Sequence, residues 1–274
     1  MATTWVIERR VFASGDDHLL AAIREAGDTV VEWSDDWWES SAWPQLEGRP
    51  VLVRASLGNA ARIQQELPWR PGPFCNPQAF RASAYYASAQ PWLLHRTFGF
   101  TTVGCLVADP RAALQALESS TQKHPERVFV RPDSPLKPFS GRVVATDSLR
   151  LSDLDHGYYY DDENLPIVVA PVRTVNREWR FVVVNGRVIA GSAYSADGRR
   201  PLPDDPAGPA WQLAQKIAQG LPAPAPVYVL DVCESDGELY LLELNPFGGA
   251  DLYACDPTAI VREVGAMART ATRA

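Results

Sequence analysis

The sequence lacks most short motifs that mark phosphate-binding and hydrolytic sites. No Gly-Lys pair occurs in its 274 residues, which excludes a Walker A phosphate loop. Gly-x-Gly-x-x-Gly is missing too, and with it the fingerprint of a dinucleotide-binding turn. There is no Gly-x-Ser-x-Gly elbow, and His18, His95, His124 and His156 are scattered with no metal or triad spacing. Cys75, Cys105, Cys233 and Cys255 include no Cys-x-x-Cys pair, so they read as reduced, mostly buried thiols rather than a zinc or disulfide framework. The longest apolar run, Leu165 to Val172, is less than half of the roughly 20 residues that span a bilayer. The chain turns charged at Glu8-Arg9-Arg10, where a signal peptide needs its apolar segment. These absences predict a protein that is neither membrane-spanning nor secreted, with the cytoplasm as its compartment.

What is present is a globular composition, 46% apolar and 22% charged, which excludes intrinsic disorder. The formal charge of -7 comes with no Lys/Arg-rich run, which argues against nucleic acid or an anionic membrane as the main partner. The length suits one large domain or two or three closely joined ones.

The first third reads as a small open α/β unit in the order β-α-β-β-α: Trp5–Phe12, Asp16–Ala26, Thr29–Trp33, Val51–Arg54 and Asn59–Leu67. Residues 35–48 carry no clean period and read as a loop, and the Pro/Gly cluster at 68–73 is the best candidate boundary. Helices are expected at Pro77–Tyr86 and Gln90–Thr97, a strand at Thr101–Val107, and a helix from the Asp109-Pro110 cap to about Lys123. Strands at Arg127–Arg131 and Gly141–Thr146 and a short helix at Leu151–His156 follow. Longer strands then take over: Ile167–Val172, Glu178–Val184 and Arg187–Tyr194, the last two joined by the hairpin signal Asn185-Gly186. A helix at Ala210–Ala218, a hairpin of Val227–Cys233 and Leu239–Asn245, and a helix at Thr258–Thr270 complete the pattern. The class is α/β, turning to antiparallel α+β in the second half.

Three constellations carry chemistry. Asp231, Glu243 and Asn245 sit on the last hairpin, and strand alternation puts Glu243 and Asn245 on one face with Leu242 and Leu244 entering the core on the other. Such an oxygen set suits Mg²⁺; a water-exposed polar face is the alternative reading. A regular two-residue turn at Asp236-Gly237 would set Asp231 opposite Leu242, so bringing it opposite Glu243 requires an odd loop or a bulge, and we expect one. The second constellation is Arg131 at a strand end with Lys137 on the following loop, two cations suited to a polyphosphate, or a surface loop with one ion pair. The third is Glu178 and Arg180, sharing a strand face as hydroxyl acceptor and phosphate cation, or as part of an exposed cross-strand salt bridge.

In this order and spacing, the three resemble an ATP-grasp enzyme from about Val128 to Tyr253. More narrowly the chain resembles the small R-to-K clade of bacteria and phages. That likeness rests on Pro71-Gly72-Pro73-Phe74, Leu93-Leu94, Phe129-Val130-Arg131-Pro132-Asp133, Lys137-Pro138-Phe139-Ser140-Gly141 and Glu178-Trp179-Arg180-Phe181. The resemblance implies an N-terminal pre-ATP-grasp α/β domain (1–72), then two α+β subdomains (73–168 and 169–274) gripping ATP between antiparallel sheets. It also implies roles. Arg131, where most ATP-grasp enzymes have lysine, and Lys137 contact ATP phosphates; Arg180 meets the γ-phosphate or an acyl-phosphate; Glu178 takes ribose hydroxyls. The backbone of Ala170, Pro171 and Val172, where many relatives carry a glutamate, binds adenine, and Asp231, Glu243 and Asn245 hold Mg²⁺.

The resemblance further implies an ATP- and Mg²⁺-dependent carboxylate-amine ligase working through an acyl-phosphate on an amino acid, peptide or protein. A phosphotransferase and a non-catalytic nucleotide-binding module are the alternatives. Phosphoryl transfer of this kind relies on positioning and charge neutralisation, which agrees with the missing nucleophile motifs. Substrate contacts are expected from the N-terminal unit, where Trp33, Trp37, Trp38 and Trp43 form an aromatic wall or pack against the neighbouring domain.

Overall fold

In the computed structural model, which describes residues 1–117, 125–154, 162–194 and 201–272, three sheets organise the chain. The N-terminal unit is β1 (Thr4–Ile7), α1 (Asp17–Glu25), β2 (Thr29–Glu32), α2 (Asp36–Ser40), β3 (Pro50–Arg54), α3 (Leu57–Glu66) and β4 (Arg70–Gly72). Its strands form a parallel sheet in the order β2-β1-β3-β4. The unit thus has a helix and a strand beyond the expected β-α-β-β-α. Pro71, which has no N–H to donate, fits an edge strand, so the expected punctuation at 68–73 contains β4. The tryptophans form no open wall. Trp33 packs edge-on against Trp37 (5.0 Å) and Trp69 (6.2 Å), with Trp38 and Trp43 on the same core.

α4 (Ala82–Ala89), β5 (Gly99–Thr102), α5 (Val103–Ala108), α6 (Pro110–Ala113), β6 (Arg127–Pro132), β7 (Arg142–Ala145) and β8 (Pro166–Pro171) follow. The strands pair antiparallel as β5-β8-β6-β7. Several expectations are corrected here. The helix expected at Pro77–Tyr86 begins at Ala82 because its cap is distant in sequence: Asp133 accepts from Ser83 N–H (2.7 Å) and Ser83 Oγ (2.9 Å). Gln90–Thr97 is not a helix. Leu93 bridges to Leu241, Leu94 N–H donates to Leu241 O (3.0 Å), and Leu241 N–H donates to Trp92 O (2.7 Å). The strand expected at Thr101–Val107 ends at Thr102, whose hydroxyl accepts from Cys105 N–H (3.2 Å) and caps α5, because β8 begins opposite it at Pro166. The helix expected to reach Lys123 stops at Ala113 and gives way to a 3-10 turn at Gln115–Leu117; residues 118–124 lie outside the described residues. Leu151–Leu154 is a 3-10 turn, and the remainder of the helix expected to His156 also lies outside them.

β9 (Arg177–Val184), β10 (Arg187–Tyr194), β11 (Leu202–Pro203), α7 (Pro209–Gly220), β12 (Val227–Ser235), β13 (Glu238–Pro246) and α8 (Pro257–Ala271) complete the chain. The sheet order is β11-β10-β9-β12-β13, all antiparallel. Asn185 (φ 47°) and Gly186 (φ 75°) make the first hairpin turn in the left-handed region, as their residue types allow. One face of this sheet, with Phe181, Leu230, Val232, Leu241 and Leu244, packs on α4 and α7. The other, with Val182, Val184, Val227 and Val229, shares a core with α1, α8 and the parallel sheet's Trp5, Ile7 and Leu52. A fourth core lies beneath β6 and β8. Cys75, Cys233 and Cys255 are buried thiols, whereas Cys105 is exposed; all four are free of disulfides.

Candidate active site

The site begins with the register of β12 and β13. Asp231 lies opposite Glu243, the pairing slips next to it, and Val232 then faces Leu241. The expected bulge is present, with Leu242 as the extra residue. Its effect on the core differs from simple alternation: Leu241 and Leu244 enter the core, while Leu242 turns into the cleft between the antiparallel sheets. The hydroxyl of Tyr85 on α4 accepts from Leu244 N–H (3.2 Å), satisfying a backbone donor beside the irregularity.

Arg180 on β9 is the register partner of Asp231, so Glu178, Arg180, Asp231, Glu243 and Asn245 share one sheet face. The alternative reading of Glu178 and Arg180, an exposed cross-strand salt bridge, does not hold for Arg180, whose ion pair with Asp231 is buried: Arg180 is 6% exposed and Asp231 0%. Arg180 donates from Nε to Asp231 Oδ1 (2.9 Å) and from Nη2 to Oδ2 (2.7 Å), and from Nη1 to the Asp251 carbonyl (2.9 Å). Its guanidinium also lies over the rings of Tyr194 and Tyr253, which stack 4.4 Å apart. Glu178 accepts from the Tyr194 hydroxyl (2.9 Å), and burial raises its carboxyl above the usual range.

The opposite wall is the third sheet. Arg131, near the end of β6, places Nη2 3.1 Å from Glu243 Oε2. Lys137, in a left-handed conformation (φ 51°) on the next loop, donates from Nζ to Glu243 Oε1 at 2.7 Å. Asn245 Nδ2 donates to both Glu243 Oε1 and Asp231 Oδ2, each at 3.0 Å. A continuous ladder Lys137–Glu243–Asn245–Asp231–Arg180 therefore joins the two antiparallel sheets. Burial alone would raise the Glu243 carboxyl, but Lys137 and Arg131 hold it well below the ordinary range. Burial opposes the charge on Arg131, yet Tyr86 and Glu243 beside it hold the guanidinium above the usual arginine range.

The cleft is lined by Arg131, Lys137, Glu178, Glu243 and the Leu242 released by the bulge, with Tyr86, His95, Phe129 and Val175 as further walls. Sequence reasoning missed these last five. Gly141 matters to this lining, because a Cβ there would sit 2.7 Å from the Phe129 ring. Ala170 is buried in β8 opposite Phe129, Val172 is 44% exposed, and Pro171 lines an adjoining hollow with Leu94, His95, Arg173 and Tyr240. These three are not among the residues lining the cleft itself.

Asp231, Glu243 and Asn245 can present only oxygens to a metal, the donor chemistry of a hard divalent cation such as Mg²⁺. Among the described residues, no group of three or more His, Cys, Asp and Glu is placed to hold a metal. The two carboxylates here already carry cationic partners, Arg131 and Lys137 on Glu243 and Arg180 on Asp231. Among the described residues, no helix is long and apolar enough to cross a membrane.

Residues 110–262, more than half of the chain, match the model of the ATP-grasp domain of the R-to-K clade, family 2. No curated protein matches the sequence. Among solved structures, D-cycloserine synthetase DcsG is similar with a TM-score of 0.66 at 15% identity, covering 97% of this chain and 100% of that one. D-alanine–D-alanine ligase from Bacillus anthracis, complexed with ATP, gives 0.54 at 12% identity, covering 100% and 98%. The ATP-grasp ligase PsnB, complexed with a phosphomimetic variant of its minimal precursor, Mg and ADP, gives 0.53 at 13% identity, covering 96% and 99%. The fold is therefore that of the ATP-grasp enzymes, and the chain belongs to family 2 of the R-to-K clade of ATP-grasp domains.

Proposed function

We propose that the protein is an ATP- and Mg²⁺-dependent carboxylate-amine ligase that forms an amide or peptide bond through an acyl-phosphate. The observation that carries this reading is the ladder from Lys137 to Arg180, which joins three cations, two carboxylates and an amide in one network that meets the cleft at Arg131, Lys137 and Glu243. We divide the chain for this work into residues 1–72, 73–168 and 169–274, with β8 crossing the second boundary.

Arg131 and Lys137 bind the phosphates of ATP, Glu178 the ribose, and the backbone of Ala170, Pro171 and Val172 the adenine. Asp231, Glu243 and Asn245 hold Mg²⁺, which supplies neutralisation of the phosphate oxygens when bound. Lys137 and Arg131 both contact Glu243, and phosphate oxygens replace that carboxylate as their partners when nucleotide binds. A substrate carboxylate oxygen attacks the γ-phosphorus as the bond to ADP breaks. The amine nitrogen then attacks the acyl carbon, the carbon–oxygen bond to phosphate breaks, and the amine gives up a proton. Arg180, fixed by Asp231, faces the charge on the transferring phosphoryl or acyl-phosphate.

PsnB has been solved with a precursor peptide, and another similar structure is a D-alanine–D-alanine ligase, which supports an amino acid, peptide or protein as the acid or the amine. The compartment we assign is the cytoplasm. The test is ADP release across a panel of acid and amine pairs, with mass spectrometry of the products. An amide adduct absent with Glu243→Gln is the expected result. A stable phosphorylated acceptor points to a phosphotransferase, and nucleotide binding without turnover on any pair points to a non-catalytic module.

A further inference from the structure

Two hollows between the β1–α1 loop and the segment after β13 share no lining residue with the nucleotide cleft. Ser14, His18, Tyr253 and Ala254 line both, so the two form one groove. Asp251 fastens this groove to the ladder. Its carbonyl accepts from Arg180 Nη1 (2.9 Å), while its carboxylate accepts from the Tyr253 N–H (2.9 Å), the Ser14 N–H (3.1 Å) and the Ser14 hydroxyl. Tyr253 holds a left-handed backbone (φ 48°), a conformation unfavourable for an aromatic residue and one that collects at ligand sites. Its ring stacks on Tyr194 and lies 4.9 Å from the Arg180 guanidinium. Since the Tyr194 hydroxyl donates to Glu178 in the nucleotide cleft, the two tyrosines link that cleft to the groove.

The walls differ between the two hollows. The one against α1 and α8 is bordered by the buried side chains of Asp16 and Arg54. In the other, Ala13, Pro201, Leu202, Pro203, Tyr253 and Ala254 supply most of the wall, and among the described residues lining it no side chain carries a permanent charge. Leu202, on β11, is 62% exposed and offers apolar surface that a ligand would remove from water. A ligand that fills the groove thus has polar groups at one end and an uncharged, apolar group at the other, which is the build of an amino acid with an apolar side chain. We propose that the groove takes an amino-acid substrate of the ligase with such a side chain, its main-chain groups at Tyr253 beside Arg180 and its side chain against Leu202 and Pro203. This rests on the ligase reading above. A lysine or glutamate side chain would bring its charge to a wall with no opposite charge to meet it, and the groove selects against both.

The test uses the full chain with Mg²⁺ and a non-hydrolysable ATP analogue, whose own binding is measured first. Dissociation constants are then taken by calorimetry for leucine, glutamate and lysine and for the dipeptides Gly-Leu and Leu-Gly. A leucine ligand should bind at least about tenfold more tightly than glutamate or lysine. Binding of leucine itself supports the assignment with a free amino acid as the substrate, and binding of a dipeptide alone supports it with a chain end. Leu202→Glu, a change at an exposed position, should weaken the leucine ligand about tenfold and narrow or reverse its lead over lysine, with the urea midpoint showing that the variant is folded. Charged amino acids bound as tightly as leucine, no binding of any of these probes, or leucine binding indifferent to Leu202→Glu overturns the assignment while leaving the ATP site intact. If the folded wild type does not bind the ATP analogue, the ligase reading falls, and this assignment with it.

Discussion

Lys137 Nζ and Glu243 Oε1 meet at 2.7 Å, joining the loop after β6 to β13 across the cleft. In the proposed roles Lys137 binds phosphate and Glu243 binds Mg²⁺, so nucleotide and Mg²⁺ together would each give one of the two a replacement partner. Mg²⁺-ATP at about 100 times its dissociation constant should add roughly 2.7 kcal/mol and raise the melting midpoint by about 5 °C or more. ATP alone and Mg²⁺ alone should each produce a smaller shift than the pair. Glu243→Gln should weaken the shift from the pair, and scanning calorimetry would show it.

Arg180 and Asp231 form a buried, doubly bonded pair, and removing either partner strands the other's charge. Asp231→Leu alone should cost about 3–5 kcal/mol of stability. Combining it with Arg180→Met should recover much of that loss, because two apolar residues replace two charges. Urea unfolding of the single and double variants measures the coupling, and simple additivity would refute it.

The bulge makes adjacent leucines unequal. Leu241→Ala empties a core position and should cost about 2–5 kcal/mol. Leu242→Ala, on the cleft side, should leave the unfolding midpoint nearly unchanged and weaken nucleotide binding instead. Unbulged alternation predicts the reverse assignment, so urea midpoints and ATP affinities of the two variants decide it.

His95 carries a pH signature. Burial lowers its folded pKa to about 4, below the roughly 6.5 of an unfolded histidine, so the unfolded chain binds the proton first. By linkage, stability rises with pH between those two values and is lost as pH falls through the window, by about 3 kcal/mol in all. Above pH 6.5 this group contributes no slope. Urea midpoints at pH 5 and pH 7 should therefore differ more for the wild type than for His95→Leu.

Much of the site is legible in the sequence because it lies on hairpins. Asn185-Gly186 and Asp236-Gly237 mark the turns, and counting back from the second shows that Asp231 can face Glu243 only if the strands are irregular between them and the turn. What cannot be read depends on partners distant in the chain. The start of α4 is set by Asp133, α5 begins where β8 leaves β5 without a partner, and the path through His95 is set by Leu241. Turn counting, together with the expectation that Asp231 and Glu243 face each other, calls for the bulge but does not give its exchange of Leu241 for Leu242 in the core, because simple alternation does not hold across an extra residue. For the ligand roles of Asp231, Glu243 and Asn245, residue types and order supply the reading, and the experiments above are its test.

The contact of residues 92–94 with Leu241 has another consequence. β13 is the outermost strand on its side of the five-stranded sheet, and a long bare edge strand is a template for pairing with other chains. Here the outward backbone groups of Leu241 are taken by Trp92 and Leu94. The opposite border, β11, is two residues long and ends in Pro203. Both borders are thus blunted, and the sheet that carries Glu243 and Asn245 resists extension by a neighbouring molecule and the aggregation that such extension begins.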